Sequence, residues 1–234
     1  MRILAGAAIV GLTMAAAGMA FPQQARLVAQ AVSGLVAAPE AAPWADIAPG
    51  AAALLAAAEA QVGVTRLYDP AYVRLDYPGG DVPRDRGVCT DVVIRALRDG
   101  LGIDLQQAVH EDMRRAFAAY PARWGLRGTD RNIDHRRVPN LETFLTRLGA
   151  ALPIGAAPGD FAPGDIVTSV FPDGQTHIVI VTNRRSADGQ RPLIVHNVGA
   201  GARVEDRLFD WQITGHFRLT PDLIARLGGQ VAGG

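Results

Sequence analysis

The chain has 234 residues, 49% of them hydrophobic, and a formal net charge of zero. That length suits one domain or two, the apolar share is enough for a buried core, and the absence of a basic excess argues against a nucleic-acid surface. All 23 basic residues are arginine, a bias that gives arginine at any single position little weight by itself.

Arg2, the apolar run Ile3 to Ala17 and the small-x-small triplet Gly18-Met19-Ala20 have the form of a secretory signal peptide over residues 1–20. The apolar run is shorter than the roughly 20 residues a membrane helix needs. The expected product is a periplasmic or secreted protein, cut after Ala20 and without a stable membrane span. No cysteine stands directly after the apolar run, so a lipid anchor is not expected. Residues 21–49 are rich in Ala, Pro and Gln and read as a linker or loosely packed arm. Residues 50–220 carry the domain, and 221–234, ending in Gly-Gly, read as a flexible tail.

Within the domain, Ala52 to Gln61 is Ala/Leu-rich and helical. A turn-dense stretch from Asp69 to Gly87 follows. Cys89, Val92, Val93, Ala96 and Leu97 then recur at i, i+3, i+4, i+7 and i+8, which predicts a helix with one apolar stripe that Cys89 opens. Leu105, Val109, Met113 and Phe117, four apart, predict a second helix that leaves His110 exposed. Residues 124–139 have no period, and Asn140 to Leu148 reads as a short helix capped by Asn140. The rest is β-like: Asp165 to Phe171, Thr176 to Thr182, Leu193 to Asn197, Val204 to Phe209 and Ile213 to Leu219. Helices followed by an antiparallel meander argue α+β.

Cys89 is the single cysteine. In an exported protein it has no internal disulfide partner, which leaves a buried bystander, an intermolecular link or a reactive thiol. A helix N-terminus lowers a thiol's pKa through its unpaired N–H groups and macrodipole. The plainer reading is a small hydrophobe opening a helix. Among the five histidines, His177 opens a strand whose alternation sets it on one face with Val179 and Val181, where it would meet a buried cysteine; alone, such a histidine is more often structural. His196 and Asn197 are adjacent on the next strand and point to opposite faces, so one of them can orient His177, and spacing does not choose.

The stretches Tyr77-Pro78-Gly79-Gly80, Arg86-Gly87-Val88-Cys89-Thr90-Asp91, Asp130-Arg131-Asn132-Ile133-Asp134-His135-Arg136-Arg137, Ala162-Pro163-Gly164-Asp165-Ile166-Val167 and Ile194-Val195-His196-Asn197 resemble the domain of unknown function 1287 family over roughly 52–219. That family resembles a branch of the NlpC-type, papain-like peptidoglycan hydrolases. The resemblance implies N-terminal helices packed on a five- or six-stranded antiparallel sheet. It implies Cys89 as nucleophile, His177 as base, His196 rather than Asn197 as the third group, and Tyr77 with the Cys89 backbone N–H at the oxyanion. Val88 and Thr90 flank the cysteine where that superfamily usually has Asp and Ser.

The expected activity is a thiol amidase or endopeptidase on peptidoglycan or its peptide stems. Cys89 attacks as a thiolate held in an ion pair with His177. One alternative is a papain-like esterase or acyltransferase on lipids, and another is a non-catalytic wall-binding module. In the aperiodic loop, Arg131, Asp134, His135 and Arg136 are candidates to bind substrate, the arginines gripping carboxylates; the plainer reading is a surface ion-pair loop. Asn197 is a further candidate contact. Asp165 reads as a turn cap, and Trp124 and Trp211 as core or pocket wall. Histidine spacing without short pairs, and one cysteine, predict no metal site, and no cofactor is expected.

Overall fold

The computed structural model describes residues 43–48 and 50–232, so the expected signal peptide and most of the arm lie outside the described residues. The elements are α1 (Ala51–Glu59), β1 (Leu67–Tyr68), β2 (Arg86–Gly87), α2 (Cys89–Leu101), α3 (Leu105–Arg115), α4 (Val138–Leu148), β3 (Ala151–Leu152), β4 (Ile166–Val170), β5 (Thr176–Arg185), β6 (Pro192–Asn197), β7 (Ala202–Glu205), β8 (Gln212–Phe217) and α5 (Pro221–Ala232). Strands β3 to β8 form one antiparallel sheet in the order β3-β8-β4-β5-β6-β7, as an α+β reading requires.

Strand alternation separates two cores. Ile178 and Ile180 of β5 and Val195 of β6 face the helices, joining Leu54, Val92, Leu97 and Phe144. Val179, Val181 and Ile194 turn the other way, onto Phe161, Val167 and Leu208. Ile178, Ile180 and Ile194 are fully buried, each contributing about 1.5–3 kcal/mol by removal from water.

The stripe read in the sequence is the buried face of α2: Cys89, Val92, Val93, Ala96 and Leu97 are all inside. The helix is capped from its third residue, because Asp91 Oδ2 accepts the Val88 N–H at 2.6 Å. Gly102, with φ 67°, ends it in a left-handed turn where the Gly102 and Ile103 amides close on Arg98 and Leu97. Gly87, just ahead of the helix, has to be glycine: a Cβ there would lie 2.9 Å from Asp91 Oδ2.

Four expectations are corrected. The 221–234 tail is helical over Pro221–Ala232, and Leu223 and Leu227 join the helix-side core. Asn140 does not cap α4, which starts two residues earlier; its Nδ2 donates instead to the Asp134 carbonyl. His110 is half-buried, its ring 5.1 Å from that of Tyr77. The end of the supposed arm is tied down, since the Trp44 amide bonds the Asn183 carbonyl and its indole N–H donates to the Phe161 carbonyl at 2.8 Å.

Candidate active site

Cys89 is the first residue of α2, and its side chain packs in the helix-side core with 5% exposure. It lines a cleft of about 450 Å³, together with Tyr68, Trp124, Arg136, Arg137 and Thr176. Burial pushes its thiol up to about 11, helped by the nearby Asp91 carboxylate; the backbone N–H groups of Ile178, Thr90 and Cys89 pull the other way. The helix N-terminus was expected to lower this pKa, and desolvation outweighs it. At rest the sulfur is therefore a neutral thiol, not the thiolate of an ion pair.

Two strands bring the histidines together. The β5–β6 register pairs Val181 with Ile194, so His177 and His196 lie diagonally on one face. His177 Nε2 is 2.8 Å from His196 Nδ1, and His196 Nε2 is 2.8 Å from Glu205 Oε2 on β7. Phe171 and Trp211 wall the pair, each with its ring centroid 5.3 Å from that of His177. Both imidazoles are buried. That burial pushes His177 down to about 3, with His196 and Arg207 adding to it. Burial lowers His196 as well, against the opposing hydrogen bond from Glu205. Both rings are neutral at pH 7.

The meeting of cysteine and histidine differs from expectation. The face that His177 shares with Val179 and Val181 packs on the second core, whereas Cys89 packs on the first. Among the described residues no hydrogen bond joins Cys89 to His177. The link is the backbone: the Ile178 N–H that favours the thiolate belongs to the peptide unit directly after His177. His177 Nδ1 makes no hydrogen bond among the described residues, so its Nε2 alone is committed.

Asn197, on the opposite face from His196, anchors the loop before the cysteine: its Nδ2 donates to the Gly87 carbonyl at 2.9 Å. Tyr77 lies away from the cleft, its ring against His110 and under the Arg131 guanidinium, 5.6 Å above the centroid. The tyrosine that lines the cleft is Tyr68, placed there by the parallel pairing of β1 with β2, which sets it opposite Gly87. Burial and the neighbouring Cys89 and Asp91 push its phenol up to about 12.

The 130–137 loop is ordered by its own acids. Asp130 Oδ1 accepts the Asn132 amide, and Asp134 accepts the Asp130 amide and the Arg137 guanidinium. Arg136 is buried and held two-pronged by Asp91, Nε to Oδ1 at 3.0 Å and Nη2 to Oδ2 at 2.9 Å. It also donates to the Ala71 and Asp69 carbonyls. Arg136 is thus spent on the fold, and Asp134 likewise. His135 is 2% exposed, its Nδ1 has no partner among the described residues, and burial pushes it down to about 3. Arg131 is exposed on the far side of Tyr77. Arg123 and Arg137 also line the cleft without such a two-pronged clamp, Arg137 stacked 4.1 Å over Trp124.

Among the described residues no group of three His, Cys, Asp or Glu side chains is arranged to hold a metal ion. Asp165 is an internal anchor, accepting from the Ala162 amide, His216 and Arg218. No helix among the described residues is long and apolar enough to cross a membrane.

Residues 55–219 match the family model described as "Domain of unknown function (DUF1287)". The chain is 54% identical over 161 residues to the "Uncharacterized protein YijF" of Escherichia coli (strain K12), a match covering 69% of this chain and 78% of that protein. No solved structure matches. The chain belongs to the domain of unknown function 1287 family.

Proposed function

We propose that this domain of unknown function 1287 protein is an exported cysteine hydrolase of papain-like type that cleaves an amide bond in cell-wall peptides. The observation that carries the reading is a cysteine at a helix N-terminus whose sulfur accepts the Ile178 N–H, beside a strand that carries the His177–His196 pair, in contact at 2.8 Å, on its other face. The leader-like first 20 residues support export. Tyr68, Trp124 and the Arg137 guanidinium beside Cys89 suit a peptide that carries carboxylates.

In the proposed reaction the His177 imidazole turns from the second-core face toward the sulfur, and the Cys89 S–H proton passes to its Nδ1 as sulfur attacks the amide carbonyl. The first backbone N–H groups of α2, which have no partner within the helix, stabilise the oxyanion. His177 returns the proton to the nitrogen as the C–N bond breaks, leaving a thioester and a free amine. His177 then deprotonates water, which attacks the thioester and releases a carboxylic acid and the thiol. Proton transfer coupled to attack replaces a standing ion pair, because the thiol starts neutral.

A non-catalytic wall-binding role is the second reading, and the nearly complete burial of the sulfur favours it. Mass spectrometry of purified sacculus digested by the wild-type protein beside Cys89→Ser separates the two. New amide-cleaved fragments with wild type alone support hydrolysis; equal digests, with or without cleavage, sink it.

A further inference from the structure

We propose that Glu205 is a positioning residue that fixes, through His196, which ring nitrogen of His177 carries the proton. This rests on the hydrolase reading for its catalytic meaning, but the tautomer itself does not. A carboxylate only accepts hydrogen bonds, so the 2.8 Å contact makes His196 Nε2 the donor. A neutral imidazole carries one N–H, so His196 Nδ1 is an acceptor. Across the next 2.8 Å contact, His177 Nε2 must then donate. That leaves a lone pair on His177 Nδ1, the nitrogen free to take up a proton. Without the carboxylate nothing distinguishes the two tautomers of the pair, and the reverse order would place a proton on His177 Nδ1 and disable it.

The surroundings support a device with a defined direction. The two imidazoles are closed in by Trp211 and Phe171, so water does not compete for their nitrogens from that side. Glu205 is the exposed end of the chain, 29% open by its side chain, in a recess of about 340 Å³ that also holds Glu59, Arg184 and Arg203. The relay thus runs from the buried start of β5 to a second surface at the β7 edge. No pattern in the sequence points to it, because Glu205 sits on a short strand nine residues after His196.

The test reads the tautomers directly, by ¹⁵N NMR of the histidine rings in wild type and Glu205→Gln at neutral pH. Wild type is expected to show protonated Nε2 and bare Nδ1 on both rings. The Gln amide can donate to or accept from His196 Nε2, so the variant is expected to lose the bias and show both tautomers of His177. Cys89 alkylation by iodoacetamide at pH 7 should then fall about twofold, with the share of His177 that keeps a bare Nδ1. Unchanged tautomers in Glu205→Gln overturn the proposal. Where that variant does not fold, Glu205→Ala is titrated with acetate, which the recess admits. Restoration of the wild-type tautomer by acetate, and not by chloride at equal ionic strength, supports the proposal; no restoration overturns it. If the tautomer moves while alkylation is indifferent to His177→Ala, the hydrolase reading fails and the assignment of Glu205 stands.

Discussion

Removing Arg136 should destabilise the protein far more than removing a surface arginine. The guanidinium makes two charge-assisted contacts to Asp91, at 3.0 and 2.9 Å, and the two side chains are 2% and 4% exposed. In Arg136→Met the Asp91 carboxylate keeps only the Val88 N–H and stands buried without its counter-charge. Breaking one side of a buried pair costs about 3–5 kcal/mol, which for a domain of this size lowers Tm by about 6–20 °C. Asp91→Leu should cost a similar amount by stranding the guanidinium. The double variant Arg136→Met/Asp91→Leu should recover much of the loss, because two apolar groups carry no unpaired charge. Thermal and urea denaturation of the four proteins, closed as a double-mutant cycle, measures the coupling. Single variants costing less than about 1 kcal/mol, the range of an exposed pair, would refute the assignment of Arg136 to the fold and return it to the substrate-binding candidates.

Acid should weaken the fold before it reaches the carboxylates. His177 and His135 are buried and pushed from 6.5 down to about 3. Between those values the unfolded chain binds protons that the folded one refuses, so stability is full above pH 6.5 and is lost as pH falls toward 3. At pH 5 each should cost about 2 kcal/mol, and urea midpoints that stay flat from pH 7 to 5 would contradict it. Asn197→Ala should cost about 1 kcal/mol by removing one of two hydrogen bonds to the Gly87 carbonyl, which keeps the Asp69 N–H. It should leave the His177 tautomer as in wild type, whereas His196→Ala should abolish the preference; a tautomer change in Asn197→Ala would exchange their roles.

The elements with a period were legible. The α2 stripe emerged intact because each of its apolar members faces the same core. In α3 the four-residue spacing ran one step too far. The helix ends at Arg115, and Phe117 falls in a separate turn after Ala116 leaves helical geometry. The tail reads as flexible from its Gly-Gly end, which masks the Leu223/Leu227 pair that buries α5. Tyr68 was invisible for a different reason. A two-residue strand has no period, and its place beside Cys89 comes from pairing with Gly87, 19 positions away.

The 130–137 loop could be recognised as a motif but not assigned. Its order lies in side chain to backbone bonds of Asp130 and Asp134, and in Arg136 crossing to Asp91. Alternation told His196 from Asn197 as opposite faces, yet the choice between them needed the register of β5 on β6. The depressed thiol pKa expected from the helix terminus failed because position on a helix says nothing of desolvation, and here desolvation is larger.

The central claim is that Cys89 and His177 act together. The most direct measurement is the second-order rate of Cys89 alkylation by iodoacetamide from pH 5 to 10, in wild type and in His177→Ala. With His177 as base, wild type should react at pH 6–8 about 100-fold faster than the variant. The variant's rate should rise only as the thiol itself ionises. Superimposed profiles would mean that the thiol and the imidazole do not cooperate, and the catalytic reading would fall.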